Sequence, residues 1–258
     1  MTVRDYTLAR GDVDVVHQAR VALRRLRSAL AAFAPVVGDD TLDRLKDELR
    51  WLAGVLGAVR DLDVLIPKRR DAAERAALEQ ARREAFDRAI AALSSARARA
   101  LMLDLSEWLA CGDWRRRPSS ADMRALPLRD FAIAALDRLR RKVKKRGRDL
   151  ADLDDEARHA LRKDTKKLRY AAEFFACLFE GGKQQRRYRH FLETLKTLQD
   201  ALGLLNDRAN RSKHLAEAGL GGVFPEMEMP EKGTDAARIL KAAVEAHDAF
   251  CDAKRFWR

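Results

Sequence analysis

The sequence predicts an all-α protein, and three observations carry that expectation. Apolar residues recur with a helical period, no run alternates apolar with polar residues long enough to make a strand, and the prolines and most glycines fall between the periodic segments. The pattern predicts a first helix over 12–34, ended by Pro35 and Gly38, and a second over 40–66, ended by Pro67. A third spans 69–110, interrupted near Ser94 and Ser95. Residues 111–127 hold Gly112, Pro118, Ser119, Ser120 and Pro127 and read as a linker. Helices resume over 128–148, 154–180, 184–218 and 234–253, with a Gly- and Pro-containing loop over 219–233, giving seven or eight in all.

With 258 residues, one compact body and two small packed halves both fit the length. Apolar residues make up 47% of the chain, enough for a core, so the 36% of charged residues belong to the surface. The net charge of +12, from 52 Lys and Arg against 40 Asp and Glu, concentrates polyanions such as nucleic acid, polyphosphate or anionic headgroups. Cys111, Cys177 and Cys251 are odd in number and widely spaced, which argues against a disulfide framework or zinc site and for a reducing compartment. Residues 1–11 lack an apolar signal-like core, and no stretch approaches the roughly 18 apolar residues of a membrane span. The expectation is a cytoplasmic protein with no membrane partner and no cofactor.

An internal repeat is the most informative feature. At an offset of 142 residues, His17-Gln-Ala-Arg20-Val-Ala-Leu-Arg24-Arg25-Leu26-Arg27 lies over His159-Ala-Leu-Arg162-Lys-Asp-Thr-Lys166-Lys167-Leu168-Arg169, and Phe33 lies over Phe175. At an offset of 146, Leu49, Leu52, Leu56, Gly57 and Asp61 lie over Leu195, Leu198, Leu202, Gly203 and Asp207, as does Arg50 over Lys196. Two matches in the same order point to a duplicated helical hairpin, with repeats over about 11–116 and 126–258 inside a single 1–258 domain, and to a pair of pseudo-symmetric bundles.

On a helix turning about 100° per residue, with His17 at 0°, Arg20 falls near −60°, Arg24 near −20° and Arg27 near −80°. Ala19, Leu23, Leu26, Leu30 and Phe33 take the opposite, core-facing side. No acidic residue occurs from Ala19 to Phe33, although a solvated helix ordinarily intersperses carboxylates to form i,i+4 pairs. The second repeat sets His159, Arg162, Lys166 and Arg169 in the same stripe, with Leu161, Leu168, Ala172 and Phe175 behind it and Lys163 and Asp164 off to the side. A merely solvated basic face is the plain alternative. Stacked like charges cost a few tenths of a kcal/mol per pair, about what an i,i+4 pair gains, and the row occurs twice, which favours a bound anion.

Cations repeating every three or four residues stand roughly 5 Å apart along the axis, a spacing suited to a chain of phosphates. Arg offers two parallel donors to phosphate and Lys a point charge. The histidines either donate to phosphate or are structurally bonded side chains. The stripe residues, with Arg25 and Lys167 of the same motifs and Arg50 and Lys196 on the following helices, are the candidate contacts. Arg140, in the dense basic run Arg138–Arg148, joins them more weakly, because cations gather at helix C-termini in any case. Arg20, Arg24, Arg27, Arg162, Lys166 and Arg169 are expected to converge on one continuous surface.

In these motifs the chain resembles the CHAD family, helical domains named for histidine-containing motifs, over nearly its whole length. The His17–Arg27 and His159–Arg169 segments are similar to the family's two signatures. Leu56-Gly-Ala-Val-Arg-Asp61, Leu202-Gly-Leu-Leu-Asn-Asp207 and the terminal Ala253-Lys-Arg-Phe-Trp257 continue the agreement. The resemblance implies paired helical bundles, a basic groove or pore binding inorganic polyphosphate, and association with polyphosphate granules. Two departures stand out: Lys166-Lys167 replace an Arg-Arg pair, and Asn206 stands where the first copy has Arg60.

An enzyme acting on polyphosphate would want carboxylates holding Mg²⁺ beside the phosphates, for which Asp61, Asp63 and Asp207 are the only suggestive residues. No P-loop, Ser/His/Asp arrangement or HExxH motif occurs, so a non-catalytic role with no metal is expected. Nucleic acid or an acidic protein would answer the same charge argument, but stacking aromatics are not evident, and Trp51, Trp108, Trp114 and Trp257 read as packing residues. Oligomeric state is not legible.

Overall fold

The computed structural model describes residues 13–68, 71–209 and 233–258. The chain is all-helical: among the described residues no strand occurs, and the helices are α1 (Val13–Val37), α2 (Asp40–Leu65), α3 (Ala72–Ser94), α4 (Ala96–Cys111), α5 (Ala121–Ala125), α6 (Leu128–Arg146), α7 (Asp155–Phe175), α8 (Gly182–Ala209) and α9 (Gly233–Asp252). Two compact units divide it, Met1–Arg124 and Ala125–Arg258.

In the first unit α2 is the central element, packing against α1, α3 and α4. Its leucines at 42, 45, 49, 52 and 56 fall at helical spacing and are all buried. Most of them join Leu30, Leu101, Leu105 and Trp108 in one cluster, with Leu23, Leu26 and Trp114 packed on its edge. The Asp39 carboxylate caps α2 by accepting from the Leu42 amide at 2.7 Å, and it also accepts from Trp108 Nε1, which fastens the end of α4 to the start of α2.

In the second unit α6 packs on α7, α7 on α8, and α8 on α9. Asp154 caps α7 through the Ala157 amide at 2.7 Å. Phe131, Leu136, Leu161, Leu168, Phe175, Phe191, Leu195, Leu198, Phe250, Phe256 and Trp257 form the interior, all under 5% exposed.

Two boundaries differ from the sequence reading. Helix α1 runs through Pro35 to Val37, so the proline sits in the last turn. Its fixed φ suits a helix and the break comes at Gly38, whose added Cβ would meet the Ala34 carbonyl oxygen at 2.6 Å. Residues 111–127, read as the linker, do contain the division between the two units, after Arg124, but they are held in place: Trp114 Nε1 donates to the Trp108 carbonyl, and Arg124 donates to the carbonyls of Trp114 and Arg117. Helix α7 ends at Phe175, followed by a 3-10 turn over Ala176–Leu178. The interruption near Ser94 and Ser95 is present, because Ser95 caps α4 by accepting from Ala98 at 3.2 Å. The loop over 219–233 and the end of the helix expected over 184–218 lie outside the described residues.

Gly147 closes α6 against α9. A Cβ there would stand 2.3 Å from Nε2 and 2.4 Å from Cδ2 of His247. His247 is buried, and burial lowers its pKa against the raising effect of its hydrogen bond to the Val143 backbone. The ring is buried and yields only by disturbing its own packing, so Gly147→Ala is expected to destabilise this unit by about 1–3 kcal/mol, the usual cost of overpacking. Denaturant titration checks it beside Gly182→Ala, where nothing lies within 4 Å of the new methyl.

Candidate polyanion-binding surface

Helix α1 carries His17, Arg20, Arg24 and Arg27 in half-buried positions along one side, while Leu30 is buried on the opposite side with Leu23 and Leu26 packed against the same core cluster. The next helix adds charge to that side. Arg20 has its pKa lowered by burial first, then by Arg24 and by Arg60 of α2, with Asp61 acting in the opposite direction. Arg27 is lowered by burial and then by Arg50 of α2. Guanidinium groups are thus gathered where desolvation and mutual repulsion both act against their charge, a condition that a bound anion relieves. Arg50 also pairs with Asp47 across one turn, an exposed contact that phosphate can exchange at little cost. Arg25 points into solvent on the flank. The Arg20 guanidinium lies over Gly57 of α2.

Helix α7 repeats the placement with His159, Arg162, Lys166 and Arg169 half-buried, and Leu161, Leu168, Ala172 and Phe175 in the interior. Arg162 lies over Gly203 of α8, and its Nε is buried without a hydrogen-bond acceptor among the described residues. His159 is held through Nδ1 by the Asn206 side-chain oxygen, so Asn206 orients the imidazole. Arg169 is anchored by Glu173 at 2.8 Å and by Gln199 at 3.1 Å. Lys196 is exposed on α8.

Asp164, which helical phase sets aside from the stripe, is a buried hub. It is 2% exposed and draws in Arg146 at 2.9 Å, Lys142 at 3.2 Å and Lys167 at 3.8 Å. Lys167 therefore leans toward a carboxylate rather than standing free beside Lys166. The basic run of α6 divides in consequence. Arg140 donates to the carbonyls of Cys251 and Ala253 at 2.9 and 3.1 Å, and Lys144 donates to Cys251 at 3.3 Å. Arg140, grouped with the phosphate contacts on sequence grounds, thus ties the C-terminal segment to α6. Arg138, Arg141, Lys145 and Arg148 are exposed, as are Lys142 and Arg146, which turn to Asp164.

Of the carboxylates named as Mg²⁺ candidates, Asp63 is buried and pairs with Arg82 at 2.6 Å, and Asp61 lies beside Arg20 in the cation cluster. The Asp207 side chain lies outside the described residues. Among the described residues no three His, Cys, Asp or Glu side chains group as metal ligands, and no helix is long and apolar enough to cross a membrane.

The sequence reading counted Arg60 toward the positive field of the first copy but missed Gly57 and Gly203 as parts of this surface. The alignment of the two copies held the signal, since it sets Gly57 over Gly203 and Arg60 over Asn206.

Fold and motifs together define an all-helical domain with a His/Arg/Lys helix motif in each of its two units. The family model described as the CHAD domain matches residues 2–216, and the chain belongs to the CHAD family. It is similar to a solved structure, the crystal structure of the CHAD domain from the plant Ricinus communis, with 29% identity and a TM-score of 0.66 over 98% of this chain and 83% of that one. No curated protein matches the sequence.

Proposed function

We propose that this CHAD-family chain binds inorganic polyphosphate through the stripes of α1 and α7, and that it does so without catalysing a reaction on it. The observation that carries the reading is the half-buried guanidinium cluster of Arg20, Arg24 and Arg60, in which burial first and like charge after it lower the Arg20 pKa although the Asp61 carboxylate beside it acts the other way. Such a cluster gains most from a ligand with closely repeated negative charge, and stripe residues roughly 5 Å apart along the helix meet successive phosphates of a linear chain. Pairing of Asp63 with Arg82 supports binding over chemistry, because it removes a carboxylate from metal duty. Such binding would bring the protein to polyphosphate granules.

Nucleic acid is the second reading, since its backbone offers the same charges. The aromatic residues favour polyphosphate: Trp108 and Trp257 are buried, Trp51 is stacked under Arg97 at 4.1 Å, and Trp114 packs on Trp108. Base-stacking platforms of the kind that single-strand binders use are absent from the described stripe residues.

Titration of the full chain with long-chain polyphosphate, single-stranded DNA and duplex DNA across a salt series separates the readings. Polyphosphate is expected to bind at least about tenfold more tightly than either nucleic acid at physiological salt, and its affinity should fall steeply as salt rises. Equal affinity for all three would reduce the surface to a generic cationic face.

A further inference from the structure

We infer that Gly57 is a positioning residue for the polyanion site, providing a side-chain-free seat on which the stripe arginine Arg20 of the neighbouring helix lies, with Gly203 under Arg162 as the looser counterpart in the second unit. The inference rests on the polyphosphate reading and adds to it one residue that carries no charge and touches no ligand.

Both glycines are buried in the interior of long helices, Gly57 in α2 and Gly203 in α8, each directly after a buried leucine. Glycine inside a helix is less favourable than alanine, so an interior glycine at a packed position calls for a reason. The reason at Gly57 is the Arg20 guanidinium: a Cβ would stand 2.6 Å from its Nη1, closer than side-chain carbons approach other atoms. At Gly203 the same partner recurs, with Arg162 Nε and Nη2 each 3.8 Å from the added carbon. One arrangement, an arginine from the histidine-motif helix laid across a glycine of the next helix, is thus present in both units. Gly54, one turn before Gly57, shows the contrast, for it is exposed and nothing lies within 4 Å of its Cβ position.

The seat has a physical consequence. An arginine resting against a helix backbone keeps its guanidinium in one place before ligand arrives, so less side-chain freedom is lost on binding. The two seats differ in tolerance. A methyl at Gly57 must push the guanidinium away, and the far end of a flexible side chain yields easily, so the fold survives while the charge moves. A methyl at Gly203 meets Arg162 at ordinary contact distance and fits.

The experiment titrates the full chain with long-chain polyphosphate as wild type and as Gly57→Ala, Gly203→Ala, Gly54→Ala, Arg20→Ala and the Gly57→Ala/Arg20→Ala double variant. Gly57→Ala is expected to bind about three- to tenfold more weakly with no loss of thermal stability, and Gly203→Ala and Gly54→Ala to bind like wild type. The double variant should bind no more weakly than Arg20→Ala, since the glycine acts only through that arginine. Gly57→Ala binding like wild type, with Arg20→Ala weakened, overturns the seat and leaves the polyphosphate reading standing. Arg20→Ala binding like wild type removes Arg20 from the site, and the seat with it, whereas a wild-type chain that does not bind polyphosphate removes the polyphosphate reading.

Discussion

A variant carrying Arg20→Glu, Arg24→Glu, Arg162→Glu and Lys166→Glu is expected to lose polyphosphate affinity by about a thousandfold or more at physiological salt. Each substitution removes a charge-assisted contact worth at least about 1 kcal/mol and sets a carboxylate against phosphate, so four together pass roughly 4 kcal/mol before repulsion is counted. The slope of log affinity against log salt should flatten by roughly three, since four fewer phosphates are neutralised on a single-stranded polyanion. The helices should persist. All four side chains are half-buried on the side away from the leucine and phenylalanine interior, and glutamate is a good helix former. Circular dichroism confirms folding and the titration reads the affinity. Unchanged binding by the folded variant would move the search to the exposed cations on α6 and just after it, Arg138, Arg141, Lys145 and Arg148.

How far this surface was legible in the sequence depended on the kind of information each residue carries. Helical phase is a property of one segment, and it set Leu161, Leu168, Ala172 and Phe175 inside and Arg162 and Lys166 on the opposite side correctly. What a side chain meets on the next helix is a property of packing, and phase is silent on it. Arg140 and Arg146 look alike in the basic run, yet one reaches the C-terminal carbonyls and the other Asp164. Asp164 itself looked peripheral because only the packing of α6 on α7 surrounds its carboxylate with cations. Gly57 was visible as a matched position, but its use became plain only with Arg20 laid over it. Pro35 misled for a different reason: a proline ends a helix when it opens a new turn after the last one, and here it occupies that last turn.

The C-terminal motif Ala253–Trp257 offers the largest expected effect on stability. Trp257→Ala is expected to destabilise the second unit by about 3–5 kcal/mol, the range for emptying a large aromatic site in a core. Trp257 is 1% exposed and meets the rings of Phe191 and Phe256 edge-on, with centroids 5.2 and 4.9 Å away. Its Nε1 donates to Asp137 of α6 at 2.9 Å, a carboxylate that also receives Arg255 and Arg258. The ring thus packs the tail against α8 while its nitrogen pins it to α6. Burial alone would raise the Asp137 pKa, but the hydrogen bonds from Trp257, Arg258 and Arg255 outweigh it and hold the pKa below the usual carboxylate value. A folded-state pKa lower than the unfolded one contributes stability above a pH of about 4, and that contribution is lost as pH falls through the folded pKa. Trp257→Phe should therefore keep most of the packing while the acid-sensitive part of the stability shrinks, because one of the donors to Asp137 is gone. Trp257→Ala should lose both. Denaturant titrations at neutral and acid pH separate the two contributions, and a Trp257→Ala protein as stable as wild type would mean that the tail is not part of the cooperative core of the second unit.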